Sequence, residues 1–218
     1  MGSGKGGEGM NWADMTLREF QAALASSSPT PGGGTAAAVA LGQAASLSIM
    51  VCDLTLGSEK WKAGWSIAEE IQALATPLMG RSNELATEDS EAFDRVMEGF
   101  RMAKSTDEEK TNRRDAIRKA TLEAAVVPFE TASLSLKLLS LLPELARIGN
   151  ANAVTDVGVA GLLASAAAKG AVFNVEINLD SLPENMGETV RKQLPALKEE
   201  TRLTSRAVMD AVRDRMDA

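Results

Sequence analysis

The chain has 218 residues, a net charge of −7, one cysteine, no histidine and no tyrosine. A Ser-His-Asp triad, a Cys-His pair, a His-ligated zinc and an intramolecular disulfide are thereby excluded, and acid–base work falls to carboxylates, lysines or ordered water. The acidic balance, with no run of five basic residues, argues against nucleic acid or an anionic membrane as partner, and the lone Cys52 fits a reducing, cytoplasmic setting.

Residues 1–14 read as a flexible leader, Gly-rich and without an apolar run. Residues 15–218 follow as a single domain, because no linker divides them and a core of this size can sustain itself. The first helix is expected over 16–26, where Thr16 and Glu19 have capping-box spacing and Leu17, Phe20 and Leu24 form an apolar stripe. Pro29 and Pro31 then enforce a helix-free connector. The second helix covers 33–56, with Gly34, Ala38, Gly42 and Ser46 on one face, a stripe that lets another backbone come close. The stretch from Phe20 to Cys52 carries no charge and is long enough to span a bilayer. Its Ala, Gly, Ser and Thr content gives weak transfer energy, so it reads as a helix buried in protein, not in lipid. Further helices are expected over 60–103, kinked at Pro77, over 107–147, with Pro128 and Pro143 inside, over 152–178 and over 183–216. Residues 173–179 alternate like a strand but continue a long helical pattern and lack a strand partner. The fold class is therefore all-α: an elongated antiparallel bundle of long helices whose extended apolar faces suggest a two-fold dimer.

Two constellations stand out. In the third helix Ile71, Ala75, Leu78, Ser82, Leu85, Asp89, Ala92 and Val96 recur in steps of three and four, a core-facing seam. Asp89 is the ionisable member. A carboxylate withdrawn from water has its pKa raised and suits proton exchange near neutral pH; the alternative is a structural ion pair with a lysine or arginine. Glu88 and Glu91 fall off the seam and are expected in solvent. In the fifth helix Asn152, Asp156, Asn174 and Asn178 share one arc. Asp156 and Asn174 lie about 27 Å apart along the axis. They serve opposite ends of a long ligand, two sites in a dimer, or simply helix capping and buried amides. The Pro-Thr-Pro-Gly-Gly-Gly run at 29–34 opens a helix, where free N–H groups attract anions and glycine admits close approach.

Five segments, in order, resemble one family. They are 27–37 (SSPTPGGGTAA), 50–57 (MVCDLTLG), 88–93 (EDSEAF), 149–156 (GNANAVTD) and 174–178 (NVEIN). They are similar to the signatures of the formiminotetrahydrofolate cyclodeaminase / methenyltetrahydrofolate cyclohydrolase family, over about 15–218. The resemblance implies an all-helical dimeric domain that binds reduced folate in a groove, with no metal and no cofactor beyond the tetrahydrofolate substrate. It implies hydrolysis of 5,10-methenyltetrahydrofolate to 10-formyltetrahydrofolate, alternatively ring closure of formiminotetrahydrofolate with release of ammonia, or folate binding without turnover. The absence of a transferase domain from this sequence leans towards the hydrolase.

On this reading Asp89 is the principal acid/base, and Asp156 a second carboxylate that orients water or holds the pterin edge. Lys60 contacts the folate glutamate or polarises the leaving group. Asn150, Asn152, Asn174 and Asn178 supply amides, Pro31, Gly32, Gly33 and Gly34 shape the pocket wall, and Trp61 stacks on the pterin. The chain departs from the family pattern at Asp53, where Asn is usual, at Ser58-Glu59-Lys60, where lysines cluster, and at Trp61, where Tyr is usual.

Overall fold

A computed structural model describes residues 11–218; the greater part of the expected leader, 1–10, lies outside them. Every regular element among the described residues is helical: α1 (Leu17–Leu24), α2 (Gly33–Leu56), α3 (Trp65–Arg101), α4 (Asp107–Ile148), α5 (Val154–Asp180) and α6 (Glu188–Met216). The alternating stretch at 173–179 is the last part of α5.

Local chemistry fixes where the helices begin. Thr16 Oγ1 accepts from the Glu19 backbone N–H, and the Glu19 carboxylate accepts from the Thr16 N–H at 2.8 Å. Thr106 and Glu109 repeat this reciprocal cap at the start of α4. Three expected starts are corrected. Residues Glu59–Gly64 form a separate 3-10 stretch, broken from α3 by non-helical angles at Trp61 (φ −105°, ψ 21°). Ala151–Ala153 is a 3-10 turn ahead of α5, so Asn152 is not on the arc of Asp156, Asn174 and Asn178. The sixth helix starts at Glu188, not at 183, because Gly187 is left-handed (φ 71°), a region open to glycine. The Arg191 guanidinium donates to the carbonyls of Leu179, Leu182 and Met186 and so satisfies the end of α5. The last residues of the expected leader are not free either. Trp12 sits in a 3-10 turn, Trp12–Asp14, with its ring packed among Phe20, Ala38, Leu85 and Ala86.

The centre is built by α2 and α5, both lined with small residues. Leu41, Ala44, Ala45, Val51 and Cys52 of α2 and Ala160, Ala164, Ala167 and Ala168 of α5 are fully buried. Desolvation, with a smaller push from Asp53, drives the Cys52 thiol up to about 12. The stripe expected on α2 packs against α3 except at Ser46, which is exposed: Gly34 lies at Asp89, and a Cβ on Gly42 would stand 2.5 Å from Ser82 Oγ. Further along the same pair, Gln72 donates to Asp53 and Trp65 to the Thr55 carbonyl. Ala124 of α4 meets Asn178 of α5, and Ser165 of α5 meets Ser205 of α6. The α3 seam is buried as its spacing predicts, with Asp89 and Val96 half-buried. Each buried Leu or Ile on these faces contributes about 1.5–3 kcal/mol. By length and composition Gly33–Leu56, Asp107–Ile148 and Ala151–Asp180 are apolar enough to cross a membrane; about half of each apolar window is buried within the bundle.

Glu88 is not simply solvated, contrary to expectation. Arg81 holds it with two hydrogen bonds of 2.6 and 3.0 Å and holds Glu130 of α4 with two more of 2.8 and 2.9 Å. This brace ties α3 to α4. The hydrogen bonds from Arg81 keep the Glu130 carboxyl below the usual carboxylate range. Its contribution is thus present above the unfolded-state pKa and fades as pH falls through the lowered folded value. Arg81→Met is expected to cost about 1 kcal/mol in urea unfolding at pH 7, and the gap from the unsubstituted protein should narrow in acid.

Candidate functional site

A cleft of about 250 Å³ opens where the Gly-rich connector meets α3, α4 and α5. Pro29, Thr30, Gly32, Gly33 and Gly34 form one wall. Asp89, Phe93 and Val96 of α3, Ala124 of α4, and Asn174 and Asn178 of α5 form the others. Asp89 is the one titratable side chain in that lining. A larger groove, about 930 Å³, lies between α4 and α6, but it contains none of the residues that the sequence singles out. The smaller cleft is where the chemistry converges.

Asp89 reaches the cleft because residue 34 is glycine. A Cβ there would stand 2.6 Å from Asp89 Cγ, closer than two carbons can approach. Thr35, one residue into the same helix and fully buried, donates from Oγ1 to Asp89 Oδ2 at 3.1 Å. Among the described residues no lysine or arginine pairs with Asp89, so of the two readings of this residue the structural ion pair is not the one found. Burial pushes the Asp89 carboxyl above its ordinary range, and the Thr35 hydrogen bond opposes that push without cancelling it.

Across the cleft, Asn174 Nδ2 donates to the Gly170 carbonyl at 2.9 Å, and Asn178 Nδ2 donates to the carbonyls of Ala124 and Asn174, both at 2.8 Å. Both amide nitrogens are thus engaged by backbone. The two side-chain oxygens accept nothing among the described residues, so they offer acceptors to a ligand's N–H groups.

The other expected site residues lie elsewhere. Pro31, within the connector, is buried and does not line the cleft. Lys60 and Trp61 sit in the 3-10 stretch beside the C-terminal end of α2, with Lys60 Nζ 4.5 Å from the Trp61 ring centre and the Arg215 guanidinium 5.8 Å from it. Asn150 works as a staple: its backbone N–H donates to Thr55 Oγ1, its Nδ2 to the Leu54 carbonyl, and its Oδ1 accepts from the Asn152 N–H. Asn152 is exposed, and Asp156 is half-buried in the first turn of α5. These five residues gather at the opposite end of α2, roughly 35 Å from Gly33 at about 1.5 Å per residue. Thr35 and Phe93 were not singled out from the sequence as site residues. Their signals were their offsets, one residue past Gly34 and four past Asp89. Among the described residues no group of three His, Cys, Asp or Glu side chains could hold a metal ion.

The profile of the formiminotransferase-cyclodeaminase family matches residues 16–196. The chain belongs to that family. It is 33% identical to a methenyltetrahydrofolate cyclohydrolase of Methylorubrum extorquens over 203 residues, covering 93% of this chain and 98% of that enzyme. It is 28% identical to the formimidoyltransferase-cyclodeaminase of Rattus norvegicus over 208 residues, but spans only 38% of that longer protein. Among solved structures, a formiminotetrahydrofolate cyclodeaminase from Thermotoga maritima superposes with a TM-score of 0.77 at 28% identity, over 94% of this chain and 97% of that one.

The Gly34 contact separates two neighbouring substitutions. Gly34→Ala must displace the Asp89 carboxylate and is expected to cost about 1–3 kcal/mol. Gly33→Ala, whose Cβ would rest 3.9 Å from Asn174 Nδ2, is expected to be neutral or slightly stabilising. Denaturant unfolding of the pair checks this.

Proposed function

We propose that this chain is a methenyltetrahydrofolate cyclohydrolase that adds water to 5,10-methenyltetrahydrofolate and releases 10-formyltetrahydrofolate. The observation that carries the proposal is the lone half-buried carboxylate of Asp89, without a cationic partner among the described residues, in a cleft also lined by Asn174 and Asn178. The substrate's bridging carbon is a cationic amidinium. The Asp89 carboxylate stabilises that charge and takes a proton from the attacking water, leaving a neutral carbinolamine. The same group then returns its proton to N5 as the N5–carbon bond breaks, and the hydroxyl proton leaves to solvent as the formyl group forms on N10. The near-complete coverage of a cyclohydrolase of this length supports the choice.

The likeness to the Thermotoga maritima cyclodeaminase favours a second reading, in which the same carboxylate protonates the departing ammonia of formiminotetrahydrofolate. Folate binding without turnover is the third. Loss of methenyltetrahydrofolate absorbance, followed with purified protein, distinguishes them. Turnover with a fall of about 10²- to 10⁴-fold in Asp89→Asn is expected. Folate-induced thermal stabilisation without turnover, or Asp89-dependent ammonia release in place of hydrolysis, would overturn the hydrolase reading. The acid limb of kcat/KM should lie above the ordinary carboxylate range, because the rate needs the charged form and burial raises the pKa. The linkage runs the other way for stability: with the folded pKa raised, folding is favoured below the unfolded value and loses that favour as pH rises through the folded one. Asp89→Asn should therefore melt higher than the native protein at pH 8 and not at pH 4.

We also propose an elongated antiparallel bundle that works as a two-fold dimer. Contact pairs between neighbouring helices support the bundle: 35 with 89, 42 with 82 and 55 with 65 for α2 and α3, and 161 with 208 and 158 with 212 for α5 and α6. The dimer is supported by outward apolar residues on the two helices that are otherwise most buried, Met50 and Leu54 on α2 and Val159, Leu162, Phe173 and Ile177 on α5, the last two 69% and 68% exposed. A cleft of about 250 Å³ is below the roughly 300–1,000 Å³ that encloses a drug-sized ligand. On this proposal a second copy, antiparallel about the two-fold axis, brings its Lys60, Trp61, Asn150, Asn152 and Asp156 beside the Asp89 cleft and lengthens it to receive the benzoylglutamate tail. Light scattering is expected to give twice the 23.0 kDa chain mass, and Phe173→Glu with Ile177→Glu to give single chains without turnover. A native protein that is active as a single chain would sink this arrangement.

A further inference from the structure

We propose that Trp12 is a positioning residue, whose indole N–H heads and polarises a buried hydroxyl relay ending on Asp89. The proposal rests on the role given to Asp89 above and adds a control from the N-terminal segment, ahead of the residues that match the family.

The relay has four members and runs over three segments of the chain. Trp12 Nε1 donates to Ser90 Oγ at 2.9 Å. Ser90 Oγ and Thr35 Oγ1 lie 3.1 Å apart, and Thr35 Oγ1 lies 3.1 Å from Asp89 Oδ2. The Gly32 backbone N–H also donates to Thr35 Oγ1, at 3.4 Å. Trp12, Ser90 and Thr35 are 9%, 5% and 0% exposed, so solvent does not substitute for a lost partner.

Donor counting sets the polarity. An indole N–H donates and cannot accept. Ser90 therefore receives from Trp12, and of its two partners only Thr35 is able to take the Ser90 proton. Thr35, already receiving from Ser90 and Gly32, directs its own proton to the Asp89 carboxylate. In this direction every donor is matched and the charged form of Asp89 is the one served. Reversal would leave the Ser90 proton without an acceptor in a dry site. Each hydroxyl that accepts a hydrogen bond becomes a better donor, so without the indole the Ser90 and Thr35 hydroxyls are less polarised and the Thr35 hydrogen bond to the charged carboxylate weakens.

Other charges do not compete for this control. The α2 helix carries no titratable group before Cys52. On α3 and α4, Glu88 and Glu130 are held by Arg81, and Glu91 and Glu123 by Arg95. On α5 the residues facing the cleft are Asn174 and Asn178, while Glu176 is paired with Lys198 of α6. In the N-terminal turn, Asp14 accepts from Asn11.

The test is a carboxyl ¹³C NMR titration of aspartate-labelled protein, with the Asp89 signal assigned by Asp89→Asn. Trp12→Phe keeps a ring in the Phe20–Ala38–Leu85–Ala86 cluster but removes the donor, and Ser90→Ala removes the link. Both are expected to move the Asp89 titration to higher pH, by similar amounts, with no further movement in the double variant. Thr35→Val should move it at least as far, and Thr35→Ser should hold it at the native position. Phe20→Leu, a change in the same cluster that leaves the relay intact, should lower the melting temperature without moving the titration. On turnover, Trp12→Phe should shift the acid limb of kcat upward with KM unchanged. An Asp89 titration that stays put in Trp12→Phe, or that moves equally in Phe20→Leu, overturns the proposal. Because the NMR titration needs no substrate, a protein that fails to turn over methenyltetrahydrofolate defeats the hydrolase reading and leaves the relay still decidable.

Discussion

The arrangement depends on one desolvated carboxylate accommodated by one missing side chain. Asp89 projects from α3 at a seam position where its neighbours are Leu85 and Ala92, both fully buried. It fits only because Gly34 leaves the first turn of α2 bare. A charged group in such a place costs stability unless it is paired or hydrogen-bonded. The protein supplies a hydroxyl, not a cation. An arginine at this point would have pinned the charge and removed its capacity to exchange protons. A threonine compensates part of the desolvation and leaves the group raised in pKa, which is the state an acid–base catalyst needs. The same molecule shows the contrasting solution at Glu130, where Arg81 holds a carboxylate firmly charged as a brace between helices.

Small residues make this possible. The faces of α2 that meet α3 and of α5 that meet α6 come close because Gly34, Gly42, Gly158 and Gly161 present no Cβ at the contacts. Close backbones leave little space between helices, so the cleft forms at the end of α2, where the Gly-rich connector bends away. That accounts for a small recess bounded by connector backbone on one side and amide side chains on the other, instead of a deep cavity within the bundle.

The helical class, the α3 seam and the place of Asp89 were readable because they rest on periodicity, which reports which face of a helix is buried. The Gly-rich loop was readable because glycine and proline punctuate a chain strongly. Other features needed space to be seen. Asn150 and Asp156 stand in one motif that lies between those of Asp89 and Asn174 in chain order, yet helices as long as α2 and α5 carry neighbouring motifs to opposite ends of the molecule. Helical starts were misplaced at Lys60, Asn152 and Pro183, where 3-10 turns and a left-handed Gly187 interrupt patterns that continue in composition. Thr35 escaped notice because a hydroxyl among alanines and glycines has no periodic signature. Trp12 was hidden for the opposite reason: the Gly-rich residues before it lent their character to the whole segment.

The burial of Cys52 has a practical corollary. The reactive species of a cysteine is the thiolate, and a fully buried thiol pushed up to about 12 is almost wholly protonated in neutral buffer. The native chain is thus a silent background for thiol-directed labels. A cysteine introduced on the surface, for a fluorophore or a spin probe, becomes the sole reacting group without any need to replace Cys52. The native thiol, meanwhile, reacts only when the α2 environment opens, so its alkylation rate serves as a built-in clock of core exposure.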